Sequence, residues 1–226
     1  MTNALEVVTK DCTALTDSEL AEMADLSVGS AAPWEVGFLS KQREEWVLVT
    51  HAREEGKLRG FAMSTLERIG GTPSLLVGLA GFARSRSATS ALHGVMHDLY
   101  RRAVLAFPDE DVLVGTRFAH PAGYTAFNGL EDVVPRPEHK ASGEERAWGR
   151  RLAKRFGCES RLDDRSAVIR GDGDLPGLLE FDPARASKQS MMYEMCFECV
   201  DGERDDTLVA FGWAMAEALA AAALPR

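Results

Sequence analysis

Residues Ser74 to Phe82 read Ser-Leu-Leu-Val-Gly-Leu-Ala-Gly-Phe, without a single charge. A strand that is apolar at every position, rather than at alternate ones, has both faces covered. This segment is predicted to be a central strand of a sheet. Its neighbours supply the sheet. Trp46 to Thr50 is apolar and β-branched, and Leu58 to Ile69 reads as a second strand. The charged stretch Arg53 to Lys57 with Gly56 makes one turn between them, and Gly70-Gly71-Thr72-Pro73 makes the next. Residues 46–82 are therefore predicted to form a three-stranded antiparallel meander.

The period then changes. From Ser87 onward, Leu92, Val95, Met96, Leu99, Ala103 and Val104 recur at spacings of three and four, which predicts a long helix ending at Phe107-Pro108-Asp109. Upstream, Leu5 to Val8 suits a first strand. Thr16-Asp17-Ser18-Glu19 is a capping box opening a helix through Leu20, Met23 and Leu26, and Trp34 to Arg43 suits another. Downstream, Asp111 to Phe118 reads as a strand, and His120-Pro121 starts a short helix reaching Leu130. The order β-α-α-β-β-β-α-β-α implies an α+β protein in α/β/α layers, its central sheet mixed but mostly antiparallel.

Beyond Leu130 the pattern loosens. Pro135 and Pro137 suggest a linker. Ser142 with Glu145 forms a second capping box, opening a helix to Phe156. Ser166 to Arg170 and Met191 to Val200 are read as strands, with a loop at Gly171 to Pro176. Asp206 or Thr207 is read as the cap of a final helix to Ala223. The expected organisation is a core over residues 1–134 and an extension over 135–226 packed on the same domain. Apolar residues cover much of the final helix (Leu208, Val209, Phe211, Trp213, Leu219), so a homodimer is among the expected partners.

With 35 acidic against 26 basic side chains and a net charge of −9, the chain lacks the basic excess of a duplex-binding protein, so nucleic acid is disfavoured as a partner. No apolar run reaches the roughly 18 residues of a membrane helix. The N-terminus lacks a basic region followed by an apolar core. A cytoplasmic location follows as an expectation, with Cys12, Cys158, Cys196 and Cys199 reduced.

Several residue groups suggest chemistry. The stretch Arg84-Ser85-Arg86-Ser87-Ala88-Thr89 combines two cations with small residues at the start of the long helix. A helix N-terminus presents unpaired N–H groups and a partial positive charge, which suits a phosphate. Glu67, His51 and His120 are candidate bases. His93 and His97 stand one helical turn apart, but no third ligand accompanies them. Cys196-Phe197-Glu198-Cys199, placed in a strand, would point its thiols to opposite faces. No metal is expected.

On Leu79 to Thr89 and on His120 to Leu130, the chain resembles the GCN5-related N-acetyltransferases across roughly Leu5 to Leu130. In that family a central strand leads into a loop with the pattern Gln/Arg-x-x-Gly-x-Gly/Ala and then a long helix. Aligned on the helix, Arg84 takes the first position, while Ser87 and Thr89 replace the glycines. The family's Asn-x-x-Ala-x-x-x-Tyr finds its counterpart in the stretch beginning at His120, with Phe127 where the tyrosine stands. The resemblance implies an N-acyltransferase using acyl-CoA, acetyl-CoA or longer, to acylate a small-molecule amine. Arg84, Arg86, Ser87, Ala88 and Thr89 would hold the pyrophosphate. The backbone of Leu79, Ala80 and Gly81 would meet the thioester where the fourth and fifth strands splay. Tyr124, His120 and Glu67 would handle protons. Because Phe127 cannot donate a proton, a noncatalytic binding or regulatory protein on the same scaffold is the alternative. A further alternative takes its acyl group from a carrier protein or an aminoacyl-tRNA docked on the basic helix Arg146 to Arg155.

Overall fold

The computed structural model describes residues 5–30 and 32–223. The N-terminal signal reading rests in part on residues 1–4, which lie outside that range. β1 (Leu5–Asp11) is followed by α1 (Asp17–Ser27) and α2 (Val36–Glu45). The expected meander follows as β2 (Leu48–Glu54), β3 (Lys57–Ile69) and β4 (Thr72–Phe82). α3 (Ala88–Ala106) crosses over to β5 (Val112–Phe118), which lies parallel to β4. A short 3-10 helix (Pro121–Phe127) then leads to β6 (Glu131–Val134). Next come α4 (Gly143–Arg155) and a two-by-two hairpin of β7 (Leu162–Asp163) and β8 (Val168–Ile169). A single turn, α5 (Lys188–Met191), precedes β9 (Thr207–Ala214) and α6 (Ala216–Ala223).

One sheet runs β1-β2-β3-β4-β5-β9-β8-β7, with β6 beside β8 on the outer edge of β9. It is mixed and mostly antiparallel, with helices on both faces. One face packs Leu92, Val95 and Leu99 of α3 over Leu75, Val77 and Val114. The other packs Leu20 and Met23 of α1, Leu39 of α2, and Trp148 and Leu152 of α4 over Val49, Met63, Leu76 and Leu113. Both capping boxes form: Glu19 N–H donates to Thr16, and Glu145 N–H donates to Ser142.

The C-terminal third corrects the sequence reading in three places. The expected final helix is β9 through Ala214, and only Ala216–Ala223 is helical. Leu208, Ala210 and Ala214 enter one core layer and Val209 and Phe211 the other, so this apolar run is buried within the sheet. Met191 to Val200 is not a strand but the end of α5 followed by a 3-10 turn over Glu194–Phe197. The strand read at Ser166–Arg170 contracts to Val168–Ile169. Residues 135–206 thus form an insertion between β6 and β9, and the sheet spans both sides of the expected division at residue 134.

Candidate functional site

The expected opening between the fourth and fifth strands exists. β4 pairs with β5 only where Ser74, Leu75 and Leu76 face Leu113, Val114 and Gly115. On the other edge of β4 the register with β3 passes from Val77–Ser64 to Leu79–Met63, leaving Gly78 as an extra residue. Such a bulge bends its strand. A Cβ on Gly78 would lie 1.8 Å from the Trp46 indole, so only glycine allows the bulge to rest on that ring. Past Thr116, whose hydroxyl donates to the Val77 carbonyl at 2.8 Å, the two strands separate.

The gap is filled by the chain itself. Residues 178–180 of the insertion lie between the strands as a short parallel strand bridging Ala80. Ala80 N–H donates to the Leu178 carbonyl at 3.0 Å, and Glu180 N–H donates to the Ala80 carbonyl at 2.8 Å. On the far side, Leu179 N–H donates to the Arg117 carbonyl of β5 at 2.9 Å. Leu178, Leu179 and Phe181 are 3%, 2% and 2% exposed. They alternate between the two core layers as strand residues do, and Phe181 meets Phe82 edge-on at 5.9 Å. The Trp34 indole N–H holds the Pro176 carbonyl at 3.1 Å. Gly177 approaches so closely that a Cβ would sit 2.9 Å from the Gly78 carbonyl oxygen. The sequence carried a signal for this strap: the run Leu178-Leu179-Glu180-Phe181, bounded by Pro176-Gly177 and Asp182-Pro183, is a short buried strand between turn residues. Its remoteness from β4 in the chain hid its partner.

Several of the residues expected to bind acyl-CoA are already engaged within the chain. The Ala80 backbone serves the strap, and Leu79 is fully buried beside it. A Cβ on Gly81 would come within 3.2 Å of Trp34. Arg84 and Arg86 are exposed, as the resemblance requires. Ala88, however, is buried, and its N–H is taken by the Ser85 carbonyl at 3.3 Å. The Ser85 and Ser87 hydroxyls bond each other at 3.0 Å, and Thr89 follows on the first turn of α3. The buried Glu180 brings a carboxylate oxygen to 4.0 Å from Arg84. A carboxylate beside the loop opposes a pyrophosphate, and apolar side chains occupy the path toward a thioester. The strap thus takes up the Ala80 backbone, while the two cations of the loop stay exposed.

Each proton-transfer candidate is engaged by other groups of the chain. Tyr124 is buried, donates to the Pro135 carbonyl at 3.1 Å and stacks on Tyr193 at 4.0 Å. Burial pushes its phenol well above the ordinary value. His120 caps the 3-10 helix, its Nδ1 accepting from Ala122 N–H at 3.1 Å, and burial lowers its pKa. Glu67 is in a different part of the sheet, paired with Arg155 at 2.7 Å. Phe127 packs edge-on against Phe118. His51, another candidate base, is 5% exposed, and burial brings its pKa down to about 4.

The basic face of α4 is largely turned to internal use. Arg155 holds Glu67 and lies over Trp46, Arg150 holds Asp164 at 2.6 Å, and Arg151 lies over Trp148. Cys196 and Cys199 lie in and after a 3-10 turn, and His93 and His97 are exposed on α3. Among the described residues no group of three or more His, Cys, Asp or Glu is placed to hold a metal ion, and no helix is long and apolar enough to cross a membrane.

No family model matches the chain, and no curated protein does. Solved structures similar to part of it include an aminoglycoside 6'-acetyltransferase type Ii, at 14% identity over 58% of this chain and 88% of that one, with a TM-score of 0.42. A ribosomal-protein-S18-alanine N-acetyltransferase from Escherichia coli shares 13% identity over 62% of this chain and 86% of its own, with a TM-score of 0.39. An acyl-CoA N-acyltransferase from Pseudomonas aeruginosa shares 19% identity over 57% and 90%, also at 0.39. Scores this low say nothing about activity. The chain's own strand order, its β4-α3-β5 crossover and the bulged separation of β4 from β5 are the features it has in common with the GCN5-related N-acetyltransferase architecture, with residues 135–206 inserted before the last strand.

Proposed function

We propose that this chain is a noncatalytic binding protein on an acyltransferase-type sheet, its donor cleft closed by its own strap. The observation that carries this reading is the strand formed by residues 178–180 between β4 and β5, hydrogen-bonded on both sides. Opening the cleft would expose Leu178, Leu179 and Phe181, at about 1.5–3 kcal/mol each. A ligand that needs the open form would thereby lose on the order of a thousandfold or more in affinity. Phe127 in place of a proton donor, and Glu180 beside Arg84, support the same reading.

The test is thiol release from acetyl-CoA and octanoyl-CoA at millimolar concentration, across a panel of primary amines, with a thermal-shift measurement alongside. The expected result is no release above background and no stabilisation by either thioester. Turnover by the unaltered chain overturns the proposal. A second reading, an acyltransferase held shut, draws on the glycines at 171, 173 and 177 that lead into the strap. It predicts thioester binding and turnover that appear when the strap is loosened by Leu179→Ala with Phe181→Ala, while the unaltered chain stays silent.

A further inference from the structure

A second gap in the molecule is left open. Residues 134–141, α4 and the β7–β8 hairpin enclose a cavity of about 1050 Å³ over the outer half of β9. That is at the upper end of the range for small-molecule sites. Its floor is apolar: Val134, Pro135, Val209 and Phe211. Gly149 of α4 lines it as well. Glycine inside a helix is unfavourable relative to alanine, and here neither φ nor a neighbour calls for it. The residue is buried, yet a Cβ built on it meets nothing within 4 Å. A buried helical glycine facing empty space keeps that space wide.

The charges around the cavity are unequally occupied. Of its acids, Glu145 is held by His139 at 2.9 Å and Arg136 at 3.4 Å, besides serving the α4 cap. Asp164 is held by Arg150. Glu138 is exposed at the rim. Of the cations, Arg146 donates to the Ala141 carbonyl and to no carboxylate, while the side chains of Lys140 and Arg165 have no ion pair among the described residues. An apolar floor beneath unpaired cations matches a molecule with one anionic head and an apolar body.

We infer that this cavity binds a small anionic amphiphile, its head group met by Lys140, Arg146 and Arg165 and its body lying on Val209 and Phe211 beneath Gly149. The inference rests on the binding-protein reading for its biological sense, and on the cavity alone for its chemistry.

Isothermal titration of the full chain with octanoate, octyltrimethylammonium and 1-octanol tests it. Octanoate is expected to bind one per chain, with the cation at least tenfold weaker. Lys140→Glu with Arg165→Glu is expected to weaken octanoate at least tenfold while leaving 1-octanol unchanged. Gly149→Leu is expected to weaken both octanoate and 1-octanol without lowering the melting temperature; should that variant fail to fold, Gly149→Ala and the charge reversal carry the test. Absence of octanoate binding, or equal binding by the altered chains, overturns the inference. Thiol release from acyl-CoA, measured on the same preparation, reports separately on the noncatalytic reading. Turnover with octanoate binding intact removes that reading alone, and silence on both counts removes this inference alone.

Discussion

The sheet has two interruptions, and the protein treats them in opposite ways. Between β4 and β5 the strands part and a strap of apolar residues is packed into the opening. Outside β9 the edge is shared by β6 and β8, and the space above them stays empty under a helical glycine. The first region is built as core, the second as a container. A gap in a sheet is therefore no sign of a ligand by itself. What distinguishes the two is whether the chain supplies side chains to fill the space.

The strap should show the energetics of core. Phe181→Ala is expected to cost about 3–5 kcal/mol in denaturant unfolding, as for other fully buried aromatics. A loss below 1 kcal/mol would mean the strap is only laid over the cleft, and the contrast with the cavity would collapse. Next in size is Asp206, fully buried, which pins the loop leading into the strap. It accepts from Gly171 N–H at 2.8 Å, Arg170 at 2.7 Å and Asp201 N–H at 3.3 Å. Asp206→Asn is expected to cost about 1–3 kcal/mol and to raise hydrogen exchange at Gly171 to Gly177. Burial raises the Asp206 pKa, but those hydrogen bonds outweigh it and hold the carboxyl below its ordinary value. A lowered folded pKa gives stability that is complete above the unfolded value and is lost as pH falls through the folded one. The native protein should lose that contribution on acidification, and Asp206→Asn should not.

At the cavity the same logic applies to Glu145. Burial pushes its pKa up, and hydrogen bonds from Ser142 and His139 bring it down to about 2 from 4.5. The loop at 135–141 should accordingly loosen as pH falls from 4.5 toward 2, read by tryptophan fluorescence from Trp148, and Glu145→Gln should remove that transition. Smaller still, Gly149→Ala should stabilise the chain by about 0.5–1 kcal/mol while narrowing the container. Destabilisation there would show that α4 needs its glycine for packing. Smallest of all, Arg84→Ala with Arg86→Ala is expected to change stability by no more than about 0.5 kcal/mol, since both are exposed.

What was legible in the sequence was what is decided locally. The capping boxes at Thr16 and Ser142 depend on residues three apart, and the β2-β3-β4 meander on tight turns at Gly56 and Gly70-Gly71. β9 was misread because Leu208, Val209 and Phe211 satisfy helical spacing as well as that of a strand buried on both faces, and periodicity does not separate the two. The opening between β4 and β5 was implied by the family resemblance at Leu79 to Gly81. Its occupant was not, because residues 178–180 reach it from the far side of α4 and the β7–β8 hairpin. The cavity had no local signature beyond one glycine in an otherwise strong helix.

β9 also sets the order of events during synthesis. It pairs with β5 on the edge away from β4, yet its last residue, Ala214, is made nearly a hundred positions after β5 ends at Phe118. Until then a nascent chain on the ribosome carries β5 as a bare apolar edge, the kind of surface that recruits foreign strands. A stop codon shortly before Thr207 would leave that edge permanently unpaired, and the product should be found in inclusion bodies.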